Sequence, residues 1–212
     1  SLDGVTALGN GASQWITSEA ARADGHAWRA RACAILTGIG TVLEDDPRLD
    51  VRLVETPRQP HVVVVDSKLE TPLDAMVLRA SHAVFIYAAA QNDAKQKALE
   101  ALGVKVIYLP GPNGKVDLAA MLRDLGTREI NELHVEAGSK LNGSLLREGL
   151  VDELLVYLAP KLLGQGRALA ENIFAQGPLS ELSGAVPLEF KSVEMLGPDL
   201  RVLARLAGRD KF

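Results

Sequence analysis

Apolar residues in this chain fall in short unbroken runs set off by turn residues: Ala34-Ile35-Leu36, His61 to Val65, Ala83 to Tyr87, Val104 to Leu109, Glu132 to Val135 and Glu153 to Leu158. Runs this short and rich in valine and isoleucine predict strands of a sheet covered on both faces. Between them the period changes. Ala94, Ala98, Leu99 and Leu102 share one helical face with Gly103 as the stop, and Leu118, Met121, Leu122 and Leu125 repeat the i, i+3, i+4, i+7 spacing before Gly126. An earlier helix is predicted from about Ser18 to Ala30, with Glu19 in the first turn, where the helix dipole favours a carboxylate.

Strands alternating with helices imply parallel pairing and right-handed crossovers. The final third departs from that rhythm. Leu188 to Met195 alternates, and Leu200 to Leu206 follows after only Gly197-Pro198-Asp199, too short for a crossover. This pair predicts an antiparallel hairpin at the sheet edge. The expected fold is a three-layer α/β sandwich, its sheet mainly parallel with an antiparallel C-terminal hairpin. Glu55 to Pro60 and Gly164 to Pro187 read as loops within one domain.

Composition narrows the classes without naming a function. The 212 residues are 47% hydrophobic and 24% charged, as in ordinary globular domains, with enough length for a full apolar core. A net charge of −4 argues against a nucleic-acid binder that relies on bulk charge. Cys33 is the single cysteine, so neither an internal disulfide nor a cysteine-rich zinc site is expected. No run approaches the ~18 apolar residues of a membrane span, and the start of the chain lacks a signal-peptide layout. A cytoplasmic protein is expected. His26, His61, His82 and His134 show no metal-ligand spacing and read as structural histidines.

A P-loop, a G-x-S-x-G elbow and an H-E-x-x-H pair are all missing. Gly38-Ile39-Gly40-Thr41 begins a dinucleotide fingerprint, but Leu43 stands where its third glycine belongs. Three segments are open to two readings each. Ser1 to Thr17 is either a flexible Gly-rich loop or an anion-binding approach to a helix start. Gly38 to Arg52 is either a solvated charged turn, with Asp46 before Pro47, or a ligand-facing loop whose carboxylates hold a sugar while arginines grip phosphate. In Val135 to Ser144, Glu136 either caps a helix or serves chemistry. A carboxylate at the end of an apolar strand is costly unless paired or used, and Gly138, Ser139 and Ser144 frame a turn suited to pyrophosphate.

Ser1-Leu2-Asp3-Gly4, Gly11 to Thr17, His26 to Ala30, Gly40 to Pro47, Val135-Glu136-Ala137-Gly138, Gly149 to Leu154 and Ala159 to Gly164 occur in that order. Together they resemble the reductase domain of the bifunctional riboflavin-biosynthesis deaminase–reductases, from residue 1 to about Leu206. The resemblance implies a dihydrofolate-reductase-like fold and an activity, the NADPH-dependent reduction of the ribosyl group of 5-amino-6-(5-phosphoribosylamino)uracil to ribityl. Matched by motif, Ser13, Arg29, Leu49, Arg52 and Glu136 fall on substrate-binding positions. Trp15, Thr41, Asp45, Ser67 and the turn Gly138, Ser139, Lys140, Leu141, Asn142, Gly143 and Ser144 fall on NADPH-binding positions.

Asp45 and Glu136 are then the catalytic candidates, orienting sugar hydroxyls or relaying a proton as the sugar ring opens. Arg52, with Arg29, is expected to hold the 5′-phosphate. The chain is expected to be one reductase domain over residues 1–212. The zinc deaminase domain and the lysine-bearing first strand that precede this region in the family are expected to lie outside residues 1–212. The competing readings are a pterin or dihydrofolate reductase of the same fold and a non-catalytic binding module. Edge strands such as Leu188 to Met195 need cover, so a homodimer is expected.

Overall fold

The computed structural model describes residues 1–171, 173–174 and 177–208. In chain order the elements are β1 (Val5–Leu8), α1 (Glu19–Arg31), β2 (Ala34–Gly38), α2 (Ile39–Asp45), β3 (His61–Val65), β4 (Val84–Ala88), α3 (Asp93–Glu100), β5 (Lys105–Tyr108), α4 (Leu118–Thr127) and β6 (Leu133–Val135). They continue with α5 (Ser139–Arg147), β7 (Glu153–Leu158), β8 (Gly166–Ala168), β9 (Leu188–Leu196) and β10 (Asp199–Leu206). Two compact units result: Gly25–Gly138, and Ser1–Asp24 together with Ser139–Phe212.

In the unit Gly25–Gly138, the valine- and isoleucine-rich runs form a parallel five-stranded sheet in the order β5-β4-β3-β2-β6. One face of the strands, through Ile35, Val62, Val64, Val84 and Ile86, packs with Val42 of α2 and Leu99 of α3. The residues between them, Leu36, Val63, Phe85 and Tyr87, are also buried. On that second face Tyr87 Oη donates to Asp124 of α4 (2.6 Å), so helices cover both sides and the unit is a three-layer α/β arrangement. Parallel strands end together, which places Gly38, Val65, Ala88 and Val135 along one sheet edge, where folds of this class receive ligands.

Helix α2 was hidden behind its glycines. Gly38 to Asp46 reads as a loop by composition, yet Ile39 and Val42 lie three residues apart and Val42 is buried in the core. The helix ends at Asp46, in the left-handed region at φ 40°, whose N–H donates to Val42 O (3.2 Å). Aspartate tolerates this conformation better than most residues. Gly126, the expected stop of α4, lies inside a helix that continues to Thr127.

In the other unit, Ser18 Oγ accepts from Ala21 N–H at the start of α1. Its remaining strands form two antiparallel sheets, β1-β8 and β7-β10-β9. The predicted C-terminal hairpin is present, with Asp199 opposite Leu196 and a register shift between Leu203 and Ala204. It is not an edge of the parallel sheet. β10 pairs on its other side with β7, from Leu200 opposite Leu158 to Arg205 opposite Glu153, so Glu153 to Leu158 is antiparallel too. Ser1 to Thr17 is likewise more than a loop, because β1 lies within it. Among the described residues no helix is long and apolar enough to cross a membrane.

Candidate active site

Glu136 follows directly on β6, and its N–H donates to Leu36 O of the neighbouring strand β2 (2.8 Å), so its side chain is fixed at the ligand edge of the parallel sheet. The buried cost of that carboxylate is met by Arg29 of α1. Arg29 Nε donates to Oε1 at 2.5 Å and Nη2 to Oε2 at 2.6 Å, a two-pronged pair, while Nη1 reaches Asp50 O at 2.9 Å. His134 Nε2 lies 3.3 Å from the same carboxylate. Burial alone would raise the Glu136 pKa, but Arg29 and His134 together hold it down at about 2. It is therefore an ionised hydrogen-bond acceptor throughout the physiological range and a poor proton donor.

Beyond Arg29 the cluster continues into the segment after α2. Asp50 receives Arg52 Nη1 and Arg48 Nη2, each at 2.6 Å. Burial would raise the Asp50 pKa, and the two arginines more than offset this. With two guanidinium groups on one carboxylate, the segment keeps a surplus positive charge, whereas Arg29 is neutralised by Glu136. Arg48, Arg52 and Arg79 line a concavity of about 430 Å³ that also takes in Ser81. Leu49, at φ 49° and buried, is the residue from which this arginine-bearing segment turns. His26, also buried, accepts Arg52 N–H at Nδ1 (3.2 Å). Burial first, and then the neighbouring Arg29 and Arg52, push its pKa down to about 4.

Thr41 and Gly138 meet at the same edge: a Cβ built on Gly138 would meet only Thr41 Oγ1, at 3.9 Å, and one on Gly40 would meet nothing within 4 Å. The backbone there is open to close approach by a ligand. Ser67, beyond β3, accepts Val116 N–H at Oγ (3.3 Å) and the Ala89 and Ala90 N–H groups at its carbonyl (3.0 and 2.9 Å). Asp45 is exposed at the last residue of α2, and its carboxylate makes no hydrogen bond or ion pair with another described residue. Glu136 and Arg52 thus belong to one network through Arg29 and Asp50, and Asp45 does not join it.

In the other unit, Ser13 and Trp15 line a smaller concavity of about 190 Å³. Lys161 Nζ donates to Trp15 O (3.2 Å) and Ile16 O (2.7 Å), and the Arg22 guanidinium lies 4.4 Å from the Trp15 ring. Asp3 accepts Leu163 and Gly164 N–H groups (2.9 and 2.7 Å), tying the first residues to the Ala159 to Gly164 motif. The expected turn from Gly138 to Ser144 is instead the first part of helix α5, which starts at Ser139, and it is only partly open. Ser139 Oγ donates to Glu171 Oε1 (2.5 Å), Asn142 Nδ2 donates to Leu169 O (3.0 Å), and a Cβ on Gly143 would fall 1.6 Å from Glu171 O. The glycine at 143 serves this internal packing, not ligand approach. Lys140 is exposed, Leu141 is half-buried, and Ser144 Oγ donates to Lys140 O within α5 (3.1 Å).

A family model described as the RibD C-terminal domain matches residues 1–202. This chain belongs to the RibD C-terminal domain family. It is 40% identical over 213 residues to the riboflavin biosynthesis protein RibD of Escherichia coli, covering 94% of this chain and 56% of that one. It is 31% identical over 206 residues to a protein of Buchnera aphidicola named 5-amino-6-(5-phosphoribosylamino)uracil reductase, covering 92% and 96%. The structure of Acinetobacter baumannii RibD superposes with a TM-score of 0.82 at 31% identity, over 97% of this chain and 55% of that one. The chain spans about half the length of the RibD proteins it matches. These likenesses also carry the dihydrofolate-reductase-like fold class.

Within this RibD C-terminal domain, His26 and His134 read from the sequence as structural histidines, His26 within the matched tract His26 to Ala30, and Asp50 and Gln59 of the network escaped that reading. His26 lies three residues before Arg29, so both share one face of α1, and His134 precedes Glu136 on the same face of β6. The spacing of His134 and Glu136 was a usable signal. Asp50 stood in plain view between Arg48 and Arg52. Gln59 carried no signal at all.

Proposed function

We propose that this chain reduces the ribosyl group of 5-amino-6-(5-phosphoribosylamino)uracil to the ribityl form with NADPH. Family membership and the name of the Buchnera relative supply the reaction. The observation that carries it to these residues is the network in which Glu136 stays ionised beside a positively charged arginine segment at the ligand edge of the sheet. A phosphorylated sugar offers the complement, hydroxyl donors for the carboxylate and a dianion for the arginines. The reaction takes a hydride at C1 and a proton at the ring oxygen released when the N-glycoside opens. NADPH supplies the hydride when bound.

Each residue then has a task. Glu136 accepts sugar hydroxyls, and its low pKa leaves proton relay to another group or to water. Arg52, with Arg48, holds the 5′-phosphate. Arg29, its charge paired with Glu136 and a further donor held by Asp50 O, acts as the anchor of Glu136 instead of a phosphate ligand. The open backbone at Gly40 and Gly138, with Thr41 beside it, fits a cofactor phosphate. Ser67, Trp15, Asp45 and the first residues of α5, Ser139 to Ser144, remain cofactor positions, Ser13 and Leu49 substrate positions, on the family resemblance. The active form is a homodimer in the cytoplasm, in keeping with edge strand β9 and a lone free cysteine.

One assay tests the reading: the purified chain is given the phosphoribosylaminouracil or dihydrofolate, each with NADPH or NADH. Turnover of the phosphoribosyl compound with NADPH is expected. Preference for dihydrofolate, or no turnover with any pair together with unquenched tryptophan fluorescence at millimolar NADPH, would overturn it.

A further inference from the structure

The stretch between α2 and β3 has neither helix nor strand, so the backbone groups around Arg52 lack ladder partners. Side chains take over at three consecutive residues. Arg29 Nη1 donates to Asp50 O (2.9 Å); Gln59 both accepts Val51 N–H at Oε1 (2.7 Å) and donates to Val51 O from Nε2 (2.8 Å); His26 Nδ1 accepts Arg52 N–H (3.2 Å). One residue upstream, Leu49 is held at φ 49°, a conformation leucine leaves unless its surroundings fix it. Two of the three splinting side chains, His26 and Gln59, have no place in the chemistry described above.

We infer that His26 and Gln59 are positioning residues, a side-chain splint that fixes the Asp50-Val51-Arg52 backbone and so sets where the Arg52 guanidinium meets the substrate's phosphate. The inference rests on the reading of Arg52 as a phosphate ligand. The Arg52 side chain is 45% exposed and, among the described residues, tethered through Asp50, so its backbone decides its reach. A neutral imidazole is needed for acceptance at Nδ1, and the buried site beside Arg29 and Arg52 keeps it neutral. Glutamine at 26 presents a carbonyl acceptor of similar reach, whereas leucine presents none.

The test uses His26→Leu, His26→Gln and Gln59→Leu in the whole chain, with steady-state kinetics and amide exchange. In His26→Leu and Gln59→Leu the KM for the phosphoribosyl substrate is expected to rise about tenfold, the scale of one or two lost hydrogen bonds. The kcat should change less than about twofold and the KM for NADPH should hold. His26→Gln should restore the substrate KM. Exchange at the Val51 and Arg52 amides should quicken about tenfold in the leucine variants. Equal losses in kcat and both KM values, or failure of glutamine to rescue, would overturn positioning in favour of a general structural role. Wild-type exchange in both leucine variants would overturn the splint itself. If the unmutated chain turned over no phosphoribosyl substrate, the reading of Arg52 would fall, and exchange alone would decide the splint. Should His26→Leu not fold, Gln59→Leu carries the same readouts.

Discussion

At the scale of single residues, His26 and Glu136 each shape how this molecule meets acid. His26 has a folded pKa near 4 against an ordinary 6.5, so as pH falls below 6.5 the unfolded chain takes up the proton first. The stability this represents is complete above pH 6.5 and lost by about pH 4, up to about 3 kcal/mol. Glu136, near 2 against 4.5, adds a second loss between pH 4.5 and 2. Urea unfolding against pH should therefore slope in two windows. His26→Gln is expected to reduce the slope of the upper window, to which His61 also contributes, and Glu136→Gln that of the lower, to which Asp50 also contributes; an unchanged upper slope in His26→Gln would contradict the buried neutral imidazole. Arg29→Met tests the pair directly. With side-chain exposures of 15% and 31% it is only partly desolvated, so its loss should cost about 2 kcal/mol, below the full cost of orphaning a buried ion. The Glu136 pKa, followed by carbon NMR, should rise. Glu136 was legible in the sequence because a carboxylate ending an apolar strand needs a reason. That its reason is Arg29 was not, since the partner lies 107 residues away and only the packed sheet brings them together.

At the scale of elements, the strands of the parallel sheet were legible almost to the residue, because burial on both faces leaves an unbroken apolar run that little else produces. Helix α2 was not, because two glycines masked a pattern carried by only Ile39 and Val42. Gly40 and Gly143 separate ligand space from packing space. Gly40 lies inside α2 with nothing near its Cβ position, so Gly40→Ala should stabilise the chain by about 0.5–1 kcal/mol through lower backbone entropy. It should also weaken NADPH binding, read by tryptophan quenching, because the methyl fills the open edge. Gly143→Ala should behave in the opposite way in stability. Its methyl would collide with the Glu171 carbonyl, and the forced shift is expected to cost about 1–3 kcal/mol in urea unfolding. A stabilised Gly143→Ala would show that the segment at Glu171 is not seated on α5.

At the scale of the whole molecule, the sequence displayed an antiparallel hairpin but not its partner. The alternation in Leu188 to Met195 marks a strand with one apolar side, and alternation carries no record of which further strand joins the hairpin; β7 does, on the other side of β10, in a sheet separate from the parallel one. This bears on assembly. β9 is the outer strand of the β7-β10-β9 sheet, and it leaves Phe190, Val193 and Met195 between 51% and 74% exposed. Large apolar side chains gathered on an unpaired edge strand favour cover by another surface, and a second copy of the same strand is the commonest solution. Sedimentation equilibrium should give about twice the 22.6 kDa of one chain. Phe190→Asp places a charge where apolar contact is needed, and should move the mass toward that of a monomer. Because association stabilises only the folded state, the unmutated Tm should rise with protein concentration, and this dependence should vanish in Phe190→Asp. A monomer mass for the unmutated chain, with a Tm indifferent to concentration, would leave β9 to be covered by some other partner and remove the second copy from the active form.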